Sequence, residues 1–170
     1  MRLRGERVAL RPLVADDLPA VYAVLREPSV ARWWGAYDER KVRAELLEAP
    51  DATAFAIEVD GALAGVVVSS EETDADYRHA GIDIFLAPEY QDRGFGSEAI
   101  RVLARHLFRD RGHHRLTIDP AAANERAIRA YERVGFRRVG VMREYERGAD
   151  GTWHDGVLMD LLAREFEPAN

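Results

Sequence analysis

Short apolar segments, several of them alternating with polar residues, recur along this chain and predict β-strands. The predicted strands cover residues 7–13, 53–59, 62–69, 79–86, 114–118, 136–146 and 153–162. Asp60-Gly61 and Asp150-Gly151 each separate two of these segments. Because Asp-Gly favours the tight turns that join paired strands, the pattern predicts two β-hairpins, the second near the C-terminus.

Apolar residues spaced three and four apart predict helices between the strands. Asp16 is the predicted N-cap of the first helix, and a second covers residues 39–48. A third follows Gly94, and a fourth begins after Asn124 and ends at Gly135. The core-facing residues of the first, third and fourth helices are predicted to be Leu18, Val21, Tyr22 and Leu25; Ile100, Leu103 and Leu107; and Ala127, Tyr131 and Val134.

The order of these elements, ββαβα followed by two further strands, predicts an α/β (α+β) fold. In such a fold helices cover the faces of a mixed sheet. The chain has 170 residues, and the sequence shows no repeat, linker or low-complexity stretch. We therefore predict a single domain over residues 1–170.

Composition narrows the classes of function. The absence of cysteine excludes disulfides, thiolate metal sites and a cysteine nucleophile, and the five histidines show no metal-ligand spacing, so no metal is expected. The net charge of −6 disfavours nucleic acid and suits a small cationic partner. No apolar run approaches the ~20 residues of a membrane span, and no signal peptide is evident, which predicts a cytoplasmic protein.

The segment between the central strand and the third helix, residues 87–97, predicts a phosphate-binding loop. Gly94 and Gly96 are expected to allow positive φ and close approach of a ligand, while Arg93 adds positive charge. An ordinary strand-to-helix turn is the alternative. Gly94 to Ala99 also fits the dinucleotide pattern G-x-G-x-x-A, but seven residues, 87–93, separate it from the strand, which argues against that fold.

Two motifs resemble those of the GCN5-related N-acetyltransferase (GNAT) family. Gln91-Asp-Arg-Gly-Phe-Gly96 is similar to its acetyl-CoA signature Q/R-x-x-G-x-G/A. The stretch from Asn124 to Phe136 is similar to its N-x-x-A-x-x-x-Y-x-x-x-G-F helix. The resemblance extends over nearly the whole chain and implies a mixed, mostly antiparallel sheet flanked by helices, with a ββαβα core and a C-terminal β-hairpin.

The resemblance also implies which residues bind acetyl-CoA. It assigns the pyrophosphate to the loop, the pantetheine arm to the end of the central strand through backbone groups, and a pantetheine amide to the residue that caps the fourth helix. These residues are Gln91, Asp92, Arg93, Gly94, Phe95, Gly96 and Ser97; Phe85, Leu86 and Ala87; and Asn124.

Two residues are candidates for the chemistry of acetyl transfer. Asp83 is an acid in an otherwise apolar strand, and the resemblance gives it the removal of the substrate proton. A carboxylate that faces solvent, pairs with an arginine or only binds the ammonium is the alternative. Tyr131 matches the family tyrosine that protonates the departing thiolate, whereas its position on the helix alone predicts simple packing.

Shorter resemblances bear on the substrate. Val30 to Gly35, Gly81-Ile-Asp83 and Thr117 to Pro120 are similar to aminoglycoside 6'-N-acetyltransferases. The long 138–161 hairpin instead resembles ribosomal-protein, polyamine and siderophore-type enzymes. The candidate substrate-binding residues are Trp33, Trp34, Glu71, Glu72, Asp74 and Asp119. For the tryptophans the alternative is core packing, and for the acidic loop it is a solvated turn.

The sequence thus predicts an acetyl-CoA-dependent N-acetyltransferase acting by direct attack in a ternary complex on a small cationic amine. The first candidate amine is the 6'-amine of an aminoglycoside. Other amine classes and a CoA-binding module without turnover are the alternatives. The sequence leaves open the exact acyl donor and whether the protein is a monomer or a homodimer.

Overall fold

Eight strands form one continuous sheet in the computed structural model, which describes residues 1–166. The last four residues of the predicted domain, 167–170, lie outside the described residues. The strands are β1 (Leu3–Arg4), β2 (Val8–Pro12), β3 (Ala52–Val59), β4 (Ala62–Glu72), β5 (His79–Leu86), β6 (Arg115–Ile118), β7 (Arg137–Arg147) and β8 (Trp153–Leu162). Their spatial order is β1-β2-β3-β4-β5-β6-β8-β7, and only the β5–β6 pair is parallel. The predicted mixed, mostly antiparallel sheet is confirmed.

Helices cover both faces of this sheet. They are α1 (Leu18–Leu25), α2 (Pro28–Trp34), α3 (Glu39–Leu46), α4 (Phe95–Arg109) and α5 (Glu125–Val134). Alternate residues of β3 enter different cores: Phe55 and Ile57 pack with α4 and α5, while Ala54 and Ala56 pack with α1, α2 and α3. The central strands are buried on both faces, which is why they are continuous apolar runs in the sequence.

The parallel pair β5–β6 is short. Only Ala80 and Gly81 pair with β6, and the remainder of β5 diverges from it. The Ala87 N–H donates to the Ala64 carbonyl at 2.9 Å, on the β4 side. Because successive backbone groups of a strand point to opposite sides, the N–H groups of Ile84 and Leu86 point toward the gap. The divergence therefore opens the sheet and leaves one edge of β5 available.

Both predicted hairpins are confirmed, and the first turn has the left-handed backbone that Asp-Gly favours, with φ of 50° at Asp60 and 81° at Gly61. The predicted N-cap Asp16 is wrong. The chain enters α1 through a 3₁₀ turn over Ala15–Asp17, and the Asp17 carboxylate accepts hydrogen bonds from Arg11 and from the Val14 N–H.

Two elements were not predicted. Helix α2 begins with Pro28 at its first position and has only seven residues, too few to show an apolar period. Strand β1 has only two residues and pairs with β2. Within residues 1–166 no helix has the length and apolar character needed to cross a membrane.

Candidate active site

A cleft of about 570 Å³ lies at the gap between β5 and β6. At one end, which we call the loop end, it is lined by these predicted residues: Leu86, Gln91, Asp92, Gly94, Gly96, Ser97 and Asn124. At the other, the acid end, four carboxylates face it: Glu45, Asp83, Asp119 and Glu146. Phe85, Trp33, Trp34 and Tyr131 also line the cleft, so the structure brings most of the predicted site residues together.

The loop end is built on the start of α4. Gly94 precedes the helix with φ of 82°, and among the described residues no side chain caps it. The first N–H groups of a helix have no partner inside it, and here they are at the wall of the cleft. Gly96 does not have the positive φ that was predicted; Asp92 has it, at 56°. Gly96 instead permits close packing, since a Cβ there would lie 3.3 Å from Leu86 Cδ1.

An arginine from the start of β2 holds this loop in place. The Arg7 guanidinium donates to the Arg93 carbonyl at 3.1 Å and to Glu98 at 3.0 Å, and it lies 4.9 Å from the centre of the Phe95 ring. Phe95 is buried in the core, and Arg93 donates to the Glu89 carbonyl, so neither lines the cleft. Phe95 therefore supports the loop from the core and Arg93 adds positive charge beside it, and their contribution to cofactor binding stays a prediction.

Hydrogen bonds join the loop to β5 and to α5. Gln91 Nε2 donates to the Leu86 carbonyl at 2.9 Å, and Arg126 donates to Asp92 at 3.0 Å and to Gln91 at 3.3 Å. Asn124 Oδ1 accepts from the Ala127 N–H at 3.2 Å, the predicted cap. Ala87 is buried and lies outside the cleft, and its N–H completes the pairing with β4.

Asp83 is the central residue of the acid end. Protein surrounds its carboxyl except toward the cleft, through which solvent reaches it. Burial raises the pKa of Asp83 to about 6, and the negative charges of Asp119 and Glu146 act in the same direction. A carboxylate with this pKa is largely ionised at neutral pH and is basic enough to take a proton.

Tyr131 lies across the cleft from β5, on α5. Burial raises the pKa of its phenol, as do the charges of Asp83 and Asp119, while Arg126 acts in the opposite direction. The hydroxyl is therefore protonated at neutral pH and is able to donate. Its ring also packs at 6.4 Å from Phe136, so the packing role and the acid role are compatible.

Sequence reasoning missed two of the four carboxylates. Glu146 comes from β7, and its pKa is raised by burial and then by Asp119, with His154 opposing. Glu45 comes from α3, and Tyr37 donates a hydrogen bond to it. In the sequence Glu45 looks like any other acid on the exposed face of an amphipathic helix, so no signal placed it at the cleft.

The comparisons with known proteins agree with this geometry. A family model described as an acetyltransferase (GNAT) domain matches residues 7–137. The chain belongs to the GNAT acetyltransferase family.

Named relatives of this GNAT chain act on different amines. It is 31% identical over 158 residues to the aminoglycoside N(6')-acetyltransferase type 1 of Klebsiella pneumoniae, a match that covers 81% of this chain and 78% of that protein. It is 28% identical over 167 residues to the spermidine N(1)-acetyltransferase of Escherichia coli strain K12, covering 94% and 88%. The fold matches that of a spermidine N-acetyltransferase from Vibrio cholerae in complex with CoA and spermine, with a TM-score of 0.82 and 22% identity over 95% and 98% of the two chains.

The GNAT chain is thus an N-acetyltransferase that uses acetyl-CoA, and its loop end suits that molecule. Free N–H groups at a helix start, beside Arg126 and Arg93, provide the donors and charge that a pyrophosphate needs. The open edge of β5 offers backbone N–H groups at strand spacing to an extended pantetheine arm.

The acidic loop predicted to bind substrate lies outside the cleft. Arg111 and His113 both donate to Glu71, the latter at 2.8 Å, so this carboxylate ties β4 to the segment before β6. Glu72 and Asp74 are exposed and accept hydrogen bonds from backbone N–H groups of their own loop. These residues were expected near Asp83, and they lie elsewhere because a run of acids in sequence does not show which way its strand end points.

The two tryptophans line the cleft in different surroundings. Trp34 packs edge-on against Phe85, with ring centres 4.8 Å apart, and lies 6.3 Å from Tyr37. Trp33 carries the Arg32 guanidinium over its ring at 4.5 Å. Trp34 therefore packs against core residues and also lines the cleft, whereas Trp33 only lines the cleft.

Proposed function

We propose that this enzyme acetylates a primary amine of a small substrate with several positive charges, with the 6'-amine of an aminoglycoside as the first candidate. The observation that carries the proposal is the convergence of Glu45, Asp83, Asp119 and Glu146 on one end of the cleft. Like charges gathered in one part of a cleft are costly to hold together unless cations neutralise them. A polycationic amine supplies those cations.

The aminoglycoside choice is supported by the 31% identical relative and by the cleft wall. Trp33 and Trp34 add flat apolar surface beside the carboxylates, which suits the ring of an amino sugar. A linear polyamine is the second candidate, since it has the same charges and the 28% identical relative is named for it.

The residues divide the work of acetyl transfer between the two ends. Acetyl-CoA, when bound, supplies the acetyl thioester. Asp83 takes a proton from the substrate ammonium, so that the amine nitrogen has a lone pair for direct attack on the acetyl carbon. N–H groups on the open edge of β5 are positioned to donate to the carbonyl oxygen as negative charge develops there.

Tyr131 completes the proton balance. As the new C–N bond forms and the C–S bond breaks, the Tyr131 hydroxyl donates its proton to the departing sulfur, and the nitrogen loses its second proton to solvent in the open cleft. Asp83 and Tyr131 then return to their starting protonation states by exchange with solvent through the open cleft. No described side chain is needed as a nucleophile, so no acetyl-enzyme is required. The continuous sheet supports our proposal that the chain acts as one domain.

The experiment that tests this proposal measures release of free CoA with acetyl-CoA and a panel of kanamycin, spermidine, lysine and a short peptide. We expect kcat/KM for kanamycin to exceed that for the other amines by about tenfold or more, which is at the low end of the discrimination that binding pockets achieve. A preference for spermidine would favour the second candidate substrate, a linear polyamine. A preference for lysine or the peptide, or no turnover at all, would contradict the proposal.

A further inference from the structure

Strand β7 departs from regular pairing beside the acid end of the cleft. Its register with β8 shifts between Met142 and Glu146, and Glu144 has φ of 49°, which is uncommon for a residue other than glycine. The Glu144 N–H donates to Asp155 Oδ1 at 2.8 Å, so β8 holds the irregular backbone in place. Such bulges commonly redirect side chains next to active sites.

The bulge brings two successive side chains to the acid end. Successive residues of a regular strand point to opposite faces. Here the Tyr145 hydroxyl donates to Asp119 Oδ2 at 2.7 Å, and the adjacent Glu146 lines the same cleft. Tyr145 therefore contacts an acid-end carboxylate directly, although it does not line the cleft itself.

Both partners of this hydrogen bond are fixed to the same strand. A Cβ on Gly156 of β8 would lie 3.0 Å from Tyr145 Cδ1, so the ring packs directly on the glycine backbone. The segment that follows Asp119 is tied to β8 as well, because the Val157 N–H donates to the Pro120 carbonyl at 2.9 Å. The Tyr145 ring and the backbone that follows Asp119 are therefore both held by neighbouring residues of β8.

We propose that Tyr145 is a positioning residue that orients the Asp119 carboxylate toward the substrate amine. With Oδ2 bound by the phenol, Oδ1 is able to accept from an ammonium. The phenol donor also reduces the repulsion between Asp119 and the neighbouring acids, Asp83 and Glu146, before substrate arrives. This inference rests on the proposed function, because it requires a cationic amine at the acid end.

The test compares Tyr145→Phe with the wild-type enzyme, using the amine that the wild type turns over best. Phenylalanine keeps the ring on Gly156 and removes only the hydroxyl. We expect KM for the amine to rise by about 3- to 10-fold, the size expected for loss of one hydrogen bond, while kcat and the KM for acetyl-CoA change by less than about 2-fold. Tyr77→Phe is the matched control, since Tyr77 is 74% exposed and lies away from the cleft; it should change neither constant.

A double-mutant cycle with Asp119→Asn then separates positioning from a direct role. If Tyr145 acts through Asp119, Tyr145→Phe adds less than about 2-fold to the amine KM in the Asp119→Asn background. Additive effects of the two changes, or a Tyr145→Phe enzyme with wild-type constants, would overturn the inference. If Asp119→Asn leaves the amine KM unchanged, both the proposed function and this inference are contradicted. If Asp119→Asn raises the amine KM strongly and Tyr145→Phe leaves it unchanged, only the inference is contradicted.

Discussion

The two ends of the cleft are built in opposite ways. The loop end takes most of its residues from one continuous stretch, 86–97, and offers backbone N–H groups at the start of α4. The acid end takes one carboxylate each from α3, β5, the segment after β6, and β7. A backbone site depends little on side-chain identity, so the loop end suits a cofactor common to the family. The acid end depends on separate side chains, which are free to differ between enzymes that act on different amines.

The charge of the two ends differs as well. Arg126 lies at the loop end, whereas at the acid end burial, and then the charges of neighbouring carboxylates, raise the pKa values of Asp83 and Glu146. Favourable hydrogen bonds hold the loop end together in the protein itself. The acid end stores like-charge repulsion that a bound cation would relieve, so we expect substitutions there to affect activity and stability in opposite directions.

The largest effect is expected from Asp83→Asn. If Asp83 is the base, kcat should fall by about 100-fold or more, as is typical for loss of a general base. Because its pKa in the free enzyme is about 6, wild-type kcat/KM should also fall as the pH drops through that value, and this acidic limb should be absent from the variant. Steady-state kinetics from pH 5 to about 8, with Asp76→Asn in the exposed loop as the control, provide the measurement.

Asp83→Asn should also raise the melting temperature at neutral pH. A carboxyl whose pKa is higher in the folded state binds protons more tightly there, so the stability of the fold decreases as the pH rises from 3.8, the ordinary pKa, to about 6 and stays reduced at neutral pH. Removing the charge removes that cost. A variant that loses both activity and stability would show that Asp83 is a structural residue and would contradict its assignment as the base.

An intermediate effect is expected from Gly94→Ala at the loop end. Alanine is strained at φ of 82°, and its Cβ would lie 3.1 Å from an Arg7 nitrogen, so the loop should shift. We expect the KM for acetyl-CoA to rise by about 5- to 10-fold, equivalent to about 1 to 1.4 kcal/mol, with the amine KM unchanged.

Gly112→Ala is the matched control for Gly94→Ala. Gly112 has φ of 69° and lies in the loop after α4, where a Cβ would meet no atom of a more distant residue within 4 Å. It should therefore carry a similar backbone strain without any effect on the KM for acetyl-CoA. Equal kinetic effects of the two changes would show that the loss is one of general stability.

The smallest kinetic effect is expected from Glu71→Gln, outside both ends. Although burial raises the pKa of Glu71, hydrogen bonds from Arg111 and His113 lower it below its ordinary value. The ionised carboxylate therefore stabilises the fold at neutral pH. That contribution is lost as the pH falls below 4.5, the ordinary pKa of a glutamate, toward the lower pKa of Glu71 in the folded protein. We expect a loss of about 1–2 kcal/mol in the free energy of unfolding, by denaturant titration, with kinetic constants within about 2-fold of wild type. Exposed Glu72→Gln is the control, and an increase in the amine KM of Glu71→Gln would restore its role in substrate binding.

The features that the sequence determined are those with local causes. The period of apolar residues gave the sheet strands and α4, because burial of one face or both imposes that period. Asp60-Gly61 gave a hairpin because its backbone conformation is available to few residue pairs. The 91–97 loop and the Asn124 cap were predictable for the same reason. In each case one short stretch of sequence contains both the residues that set the backbone conformation and the groups that this conformation exposes.

Only the tertiary structure decided the acid end. Glu45 and Asp83 are 38 residues apart in the sequence, and their common cleft depends on how α3 packs over β5. Glu146 and Tyr145 reach Asp119 because a bulge in β7 redirects them, and Glu71 turns away because Arg111 and His113 bind it. Long-range packing sets these side-chain directions, and single residues carry no local signal of them. The sequence therefore determined the family and the loop at one end of the cleft, but it did not show that Glu45 and Glu146 join Asp83 and Asp119 at the other end.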